Sequence, residues 1–240
     1  MVRVEGISKR FGAVEAVRGV SFHVPRGAAM VLIGPSGSGK STVLRLINGL
    51  ERLDGGRVIL DGVPLDADAR NLHEIRAETG MVFQHFHLFP HMSVLENLVL
   101  APRVVRRRPE REVVEEAHAL LSRVGLADKA GRYPRQLSGG EQQRVAISRA
   151  LAMHPKVLLF DEPTSSLDPE MIRDVLDVMI DLARGGMTMV VATHEMGFAR
   201  EVAQEVLFLD RGEVLERGKP EELFDHARHP RTIAFLSKIL

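Results

Sequence analysis

Three apolar runs of strand length punctuate the chain, and each ends where a reactive group can be presented. Residues 28–33 (AAMVLI), 157–160 (VLLF) and 188–193 (TMVVAT) carry no charge, the pattern of strands buried on both faces. Elsewhere the period changes. Residues 41–50 (STVLRLINGL) space their apolar positions as a helix does, and residues 141–153 read as an amphipathic helix. Residues 2–25 read as short β segments, and GMVFQ, ending at Gln84, is strand-like. Strands alternate with helices from 28 to about 84 and again from about 155 to 218, which predicts a mainly parallel α/β sheet. The intervening residues 85–154 are helix-rich. The expected organisation is one domain over 1–240, with lobes 1–84 and 155–240 forming an α/β core and 85–154 forming a helical lobe.

Between the first strand and its helix lies GPSGSGKS: Gly34, Pro35, Ser36, Gly37, Ser38, Gly39, Lys40 and Ser41, followed by Thr42. A glycine-rich loop there can wrap its backbone N–H groups around a β-phosphate, and the following helix adds the positive end of its dipole. Lys40 can reach β- and γ-phosphates, and the Ser41 hydroxyl can ligate Mg²⁺. A flexible Gly/Ser turn would need neither the strand before it nor the helix after it.

The second run ends in Asp161 and Glu162. An aspartate at such a tip can hold Mg²⁺ through its water shell, and a second carboxylate can activate a water. The third run delivers His194 to the same sheet edge, within reach of a γ-phosphate and the attacking water. The chain has 10 histidines, and His73, His118, His154, His226 and His229 read as surface or packing residues. Gln84 could reach Mg²⁺ or water.

A second anion-facing element is LSGGE, with Ser138 as helix N-cap before Gly139, Gly140 and Glu141. Such a helix start presents bare N–H groups and a hydroxyl to an anion. Lys40 already serves the chain's own phosphates, so a second anion site suggests a nucleotide held by another chain. An ordinary capped helix after a glycine turn is the plainer reading.

Composition sets limits. Lysine plus arginine and aspartate plus glutamate both number 32, so nothing marks a nucleic-acid footprint. There are no cysteines, hence no disulfides or thiolate metal sites. No apolar run approaches the roughly 20 residues of a membrane span, and MVRVEGISKRFG has no signal-peptide core. The basic run PRVVRRRPER (102–111) reads as a solvated loop entering a helix at Pro109 and Glu110. HFHLFPHM (85–92) places aromatics in a loop.

The order GPSGSGKS, Gln84, LSGGE, VLLFDEP, SSLD (165–168) and His194 resembles the ATP-binding subunit of an ABC transporter, from about Val2 to the C-terminus. The resemblance implies a P-loop NTPase fold: a RecA-like, mainly parallel sheet, an N-terminal antiparallel β part and an inserted α-helical lobe. It makes ATP and Mg²⁺ the cofactors, with Ser41, Gln84 and Asp161 toward the metal. It makes Glu162 the catalytic base, with His194 and Gln84 beside it and Gln84 sensing a membrane partner. Ser138, Gly139, Gly140 and Glu141 would contact the γ-phosphate across a dimer seam that includes Asp168. Phe11 would stack on adenine, with Val17 as its apolar neighbour. Glu141 stands where Gln is more usual, and Ser166 where Ala is.

Stretches 81–102 and 193–218 and the ending HPRTIAFL (229–236) are similar to the polar amino-acid uptake branch. The implied partners are a second ATP-binding subunit, identical or related, transmembrane permease subunits and, indirectly, a solute-binding protein, with no nucleic acid. The implied place is the cytoplasmic face of the cell membrane. Under the resemblance, 85–92 would line a groove for a membrane-subunit helix; simple lobe packing explains it equally well. A soluble ATP-gated clamp of the DNA-repair or chromosome-maintenance type is the rival reading, although such relatives usually split their nucleotide lobes with a coiled coil or zinc insertion. A plain P-loop kinase leaves LSGGE unexplained.

Overall fold

A computed structural model describes residues 1–65 and 71–239. It opens with β1 (Val2–Phe11) and β2 (Val14–Val24), an antiparallel hairpin of two long strands rather than several short segments. β3 (Ala29–Ile33) runs through the glycine-rich loop into α1 (Lys40–Ile47). β4 (Gly55–Leu60) and β5 (Val63–Pro64) follow, then α2 (Leu72–Glu78) and β6 (Thr79–Val82). Three helices come next: α3 (Val94–Val104), α4 (Glu110–Arg123) and α5 (Gly139–Leu151). The chain then alternates β7 (Val157–Asp161), α6 (Pro169–Arg184), β8 (Thr188–Ala192) and α7 (Met196–Val202). It closes with β9 (Glu205–Asp210), β10 (Glu213–Gly218), α8 (Pro220–Asp225) and α9 (Pro230–Leu236).

The strands divide into two sheets. β2-β1-β4-β5 is antiparallel throughout. The order β10-β9-β3-β8-β7-β6 is parallel except for β10, which turns back on β9. Every residue of β3, β7 and β8 is buried, which is why these strands are apolar runs without alternation. Their two faces serve different cores. Met30, Leu32, Leu159 and Val190 pack with α1 and the antiparallel sheet. Val31, Ile33, Phe160 and Val191 pack against α5 to α9. Removing one such side chain, as in Leu159→Ala, costs about 2–5 kcal/mol through lost transfer energy and a cavity.

A third cluster joins α3, α4 and α5 around Val94, Leu98, Val113, Leu121 and Val145. α3 starts at a capping box between Ser93 and Glu96. It runs through Pro102, so the basic stretch begins inside a helix rather than in a loop. Arg106 bonds Glu78 and the Ala77 carbonyl, and Arg108 bonds Glu116 and approaches His154. Arg103 and Arg111 pair at the surface with Glu110 and Glu115, Arg107 is exposed, and residues 105–109 form the solvated connection that leads into α4. The helix start at Glu110, after Pro109, lies where the sequence puts it.

Candidate functional site

The parallel strands place their C-terminal ends side by side. Leu32 and Asp161 both pair with Ala192, so the loops after β3, β7 and β8 leave the sheet at one edge. Ligands of open α/β sheets gather at that edge. Here it carries Gly34, Asp161 with Glu162, and Thr193 with His194.

The loop after β3 demands glycine at two places. A Cβ on Gly34 would stand 2.0 Å from the Leu209 carbonyl oxygen. Gly39 has φ +107, and a Cβ there would meet the Ala16 carbonyl oxygen at 2.5 Å. Gly39 caps α1 without any side chain, leaving the first N–H groups of that helix facing the loop's concavity. Pro35 is half-buried, Ser36 and Gly37 are exposed, and Thr42 is half-buried in the first turn of α1. The Ser38 hydroxyl is buried and unpaired among the described residues.

Lys40 is only 3% exposed. Its Nζ donates to the Gly34 and Pro35 carbonyls at 2.9 and 3.2 Å and lies 3.3 Å from Glu162 Oε1. His194 Nε2 lies 3.4 Å from the same oxygen. The bond from His194 is the largest influence on Glu162, and with Lys40 it outweighs burial and holds the carboxyl below its usual range. Glu162 sits in left-handed backbone, φ +47, a strained conformation that recurs at functional sites. The turn around it is pinned: Glu162 N–H donates to the Ala192 carbonyl, and the Ser165 hydroxyl donates to the Glu162 carbonyl.

Asp161 behaves differently. Burial pushes its pKa up, opposed by the Ser41 hydroxyl and by Arg45, whose guanidinium lies 3.8 Å away. Its Oδ1 is buried with no partner among the described residues. A buried, half-satisfied carboxylate facing a hydroxyl fits Mg²⁺, an oxygen-seeking ion that needs few protein ligands because it keeps waters and phosphate oxygens. No group of three His, Cys, Asp or Glu suited to a metal occurs among the described residues.

Gln84 lies two residues beyond the end of β6, not in the strand. Its backbone carbonyl accepts from the Ser166 hydroxyl at 2.6 Å.

The LSGGE segment starts α5 with a full capping box: the Ser138 hydroxyl accepts from Glu141 N–H at 3.3 Å, and the Glu141 carboxylate accepts from Ser138 N–H at 2.8 Å. Lys129 stands 3.4 Å from Glu141. The glycines also have an intrachain reason. A Cβ on Gly140 would meet Met171 at 2.9 Å, and one on Gly139 would meet Leu167 at 3.1 Å. No hydrogen bond or ion pair among the described residues joins 138–141 to 34–42. The Ser138 proton remains free to be donated to an anion.

Phe11 is 46% exposed at the end of β1, with Lys9 Nζ 5.3 Å from its ring centroid. Val17 does not fit the expected place beside that ring. It is fully buried in the core, because neighbouring residues of a strand face opposite ways. Ala16, half-buried, is the residue whose backbone borders the phosphate loop, and the sequence reading passed over it. Of the other histidines, His154 meets Glu116 at 2.6 Å and His229 caps α9 by accepting from Arg231 N–H.

The model of the ABC transporter family matches residues 17–165. A general L-amino acid transport ATP-binding protein of Rhizobium johnstonii is 52% identical over 239 residues, spanning 100% of this chain and 93% of that protein. A glutamine transport ATP-binding protein of Geobacillus stearothermophilus is 52% identical over 240 residues, spanning 100% and 99%. Among solved structures, a dimeric ATP-binding cassette in a post-hydrolysis state, bound to ADP and Pi, is 34% identical, covers 92% of this chain and 99% of that one, and superposes with a TM-score of 0.79.

Proposed function

The chain belongs to the ABC transporter family, and from that premise we infer that it is the ATP-hydrolysing subunit of an importer for polar amino acids. One observation carries the catalytic reading: Lys40, Glu162 and His194 converge within 3.4 Å at the edge where the phosphate loop leaves the sheet. Bound ATP would place its phosphates in the cradle of Gly34 to Thr42, and Mg²⁺ would supply charge neutralisation near Ser41, Asp161 and Gln84. Lys40 then exchanges its bonds to the Gly34 and Pro35 carbonyls for phosphate oxygens. Glu162, held ionised, accepts the proton of the attacking water, and His194 orients that water against the γ-phosphate. Phe11 offers its exposed face to the adenine.

We place the second half of each site on a partner copy, with Ser138, Gly139, Gly140 and Glu141 closing over the γ-phosphate and Asp168 at the seam. The lack of any hydrogen bond or ion pair between 138–141 and 34–42 among the described residues is compatible with this, and the dimeric state of the related ADP-bound cassette supports it. The whole chain then acts as one ABC ATPase domain, its α/β lobes 1–84 and 155–240 binding nucleotide and its helical lobe 85–154 carrying the closing segment. No helix among the described residues is long and apolar enough to cross a membrane, so coupling would run through separate permease subunits met at the cytoplasmic face, with a solute-binding protein acting through them. The related proteins are transport subunits, which leaves the DNA-clamp reading without a supporting observation.

The test is reconstitution with permease subunits of polar amino-acid importers, in vesicles loaded with ATP and Mg²⁺. Uptake of labelled glutamine, glutamate, arginine or histidine is expected. ATP hydrolysis with uptake of none of these would overturn the solute class while leaving the ATPase assignment in place.

A further inference from the structure

The segment after β6 leaves the sheet with its carbonyls unpaired by any ladder, and side chains take them over. Gln143 Nε2 donates to the Phe83 carbonyl at 3.2 Å. Arg149 donates to the Phe86 and His87 carbonyls at 3.2 and 2.7 Å. Both belong to α5, the helix that begins at Ser138. The remaining grip, on Gln84 itself, comes from elsewhere: Ser166 Oγ donates to it at 2.6 Å, from the turn that follows Glu162. The adjacent Ser165 hydroxyl donates to the Glu162 carbonyl at 2.9 Å. Two neighbouring hydroxyls thus hold the backbones of Glu162 and Gln84 in one frame. Ser166 is exposed, so its bond adds order without burying a group that would otherwise lack water.

We propose that Ser166 is a positioning residue for hydrolysis, a latch that fixes the Gln84 segment relative to Glu162. It acts through Gln84, whose carbonyl it holds. The inference rests on the ATPase reading above, and it concerns a hydroxyl that an alanine at this position could not supply. Removing the latch leaves the phosphate loop intact, so nucleotide binding is spared. The step that suffers is the one needing Gln84 and Glu162 together.

The test combines Ser166→Ala, Ser166→Thr and Gln84→Ala on the full chain. In the latched chain, Ser166→Ala is expected to lower kcat about threefold to tenfold, the range spanned by one neutral hydrogen bond, with the KM for ATP within about twofold. Ser166→Thr, which keeps the hydroxyl, restores the rate. In the Gln84→Ala background, Ser166→Ala is expected to add nothing, because coupled residues are not additive. Hydrogen exchange supplies a readout without turnover: amides of residues 84–87 speed up in Ser166→Ala, while those of β3 and β7 do not. Equal losses in both backgrounds, unchanged exchange at 84–87, or a Gln84→Ala chain at full rate would each overturn the assignment of Ser166. Failure of the ATPase reading would appear separately, as no ATP hydrolysis by the unmodified chain.

Discussion

At the scale of single residues, the site depends on two neighbouring carboxyls kept in opposite conditions. Glu162 is held low by His194 and Lys40, whereas Asp161 is pushed up by burial. In the mechanism proposed above, such a split would let Glu162 accept a proton while Asp161 awaits a cation. Glu162→Gln keeps the shape and removes the base, so turnover is expected to fall about 100-fold or more, within the range of general-base effects, while ATP binding persists. An ATP-bound dimer should then accumulate and elute early in size-exclusion chromatography; hydrolysis near the wild-type rate would remove Glu162 from the chemistry. Lys40→Ala acts at an earlier step. It takes away both the phosphate ligand and the counter-ion of Glu162, and weaker nucleotide affinity, read by titration calorimetry, is its expected signature. Most of these groups were legible in the sequence because each follows an apolar run directly. Val17 was misplaced because its strand faces could not be assigned until the register of β1 on β2 was known, and Ala16 had no motif to announce it.

Among the secondary-structure elements, a side chain that no motif marks does much of the holding. Asn97 in α3 is 1% exposed. Its amide accepts from Phe89 N–H and donates to the Phe89, Met92 and Ser93 carbonyls, so one residue folds the loop 89–93 onto its helix. Asn97→Ala should destabilise the chain by about 1–3 kcal/mol, the cost of stranding buried backbone groups, seen as a lower denaturation midpoint at unchanged slope. The contacts of Arg106 and Arg108 between α3 and α4 were not legible because the partners are remote: Glu78 is 28 residues from Arg106, and His154 is 46 from Arg108. Glu116, at the centre of one such group, would be raised by burial, but Arg108 and His154 outweigh this and hold it low. A carboxyl depressed by folding contributes stability above its unfolded pKa and loses it as pH falls through the folded value. Glu116→Gln is therefore expected to cost about 1 kcal/mol near neutrality, with the gap to wild type closing as pH drops below the model-peptide value of 4.5. A gap that stays constant down to pH 3.5 would show that the charge is not what stabilises.

For the whole molecule, the burial of β3, β7 and β8 followed from their uninterrupted apolar runs, whereas the order of the strands and the pairing of two copies did not. Composite sites make a sharp prediction. Ser138→Arg should abolish hydrolysis and leave the ATP affinity of the single chain nearly unchanged, since a long cation blocks closure. Mixed with Lys40→Ala, it should recover part of the activity, because one site of the mixed dimer then carries both lesions and the other carries none. Active Ser138→Arg homodimers would refute shared sites; an inactive mixture with heterodimers verified by tagged pull-down would mean that neither site fires without the other.

The grip on the Phe83–His87 carbonyls from α5 on one side and Ser166 on the other has a thermodynamic consequence. A segment bound by both the closing helix and the catalytic turn is common to two binding events. If a permease seated near the exposed Phe89 alters the affinity for ATP by some factor, ATP must alter the affinity for that permease conformation by the same factor. Binding alone is thus symmetric and can drive solute either way; only the irreversibility of hydrolysis, assigned above to Glu162 as a proposal, would give such a cycle its direction.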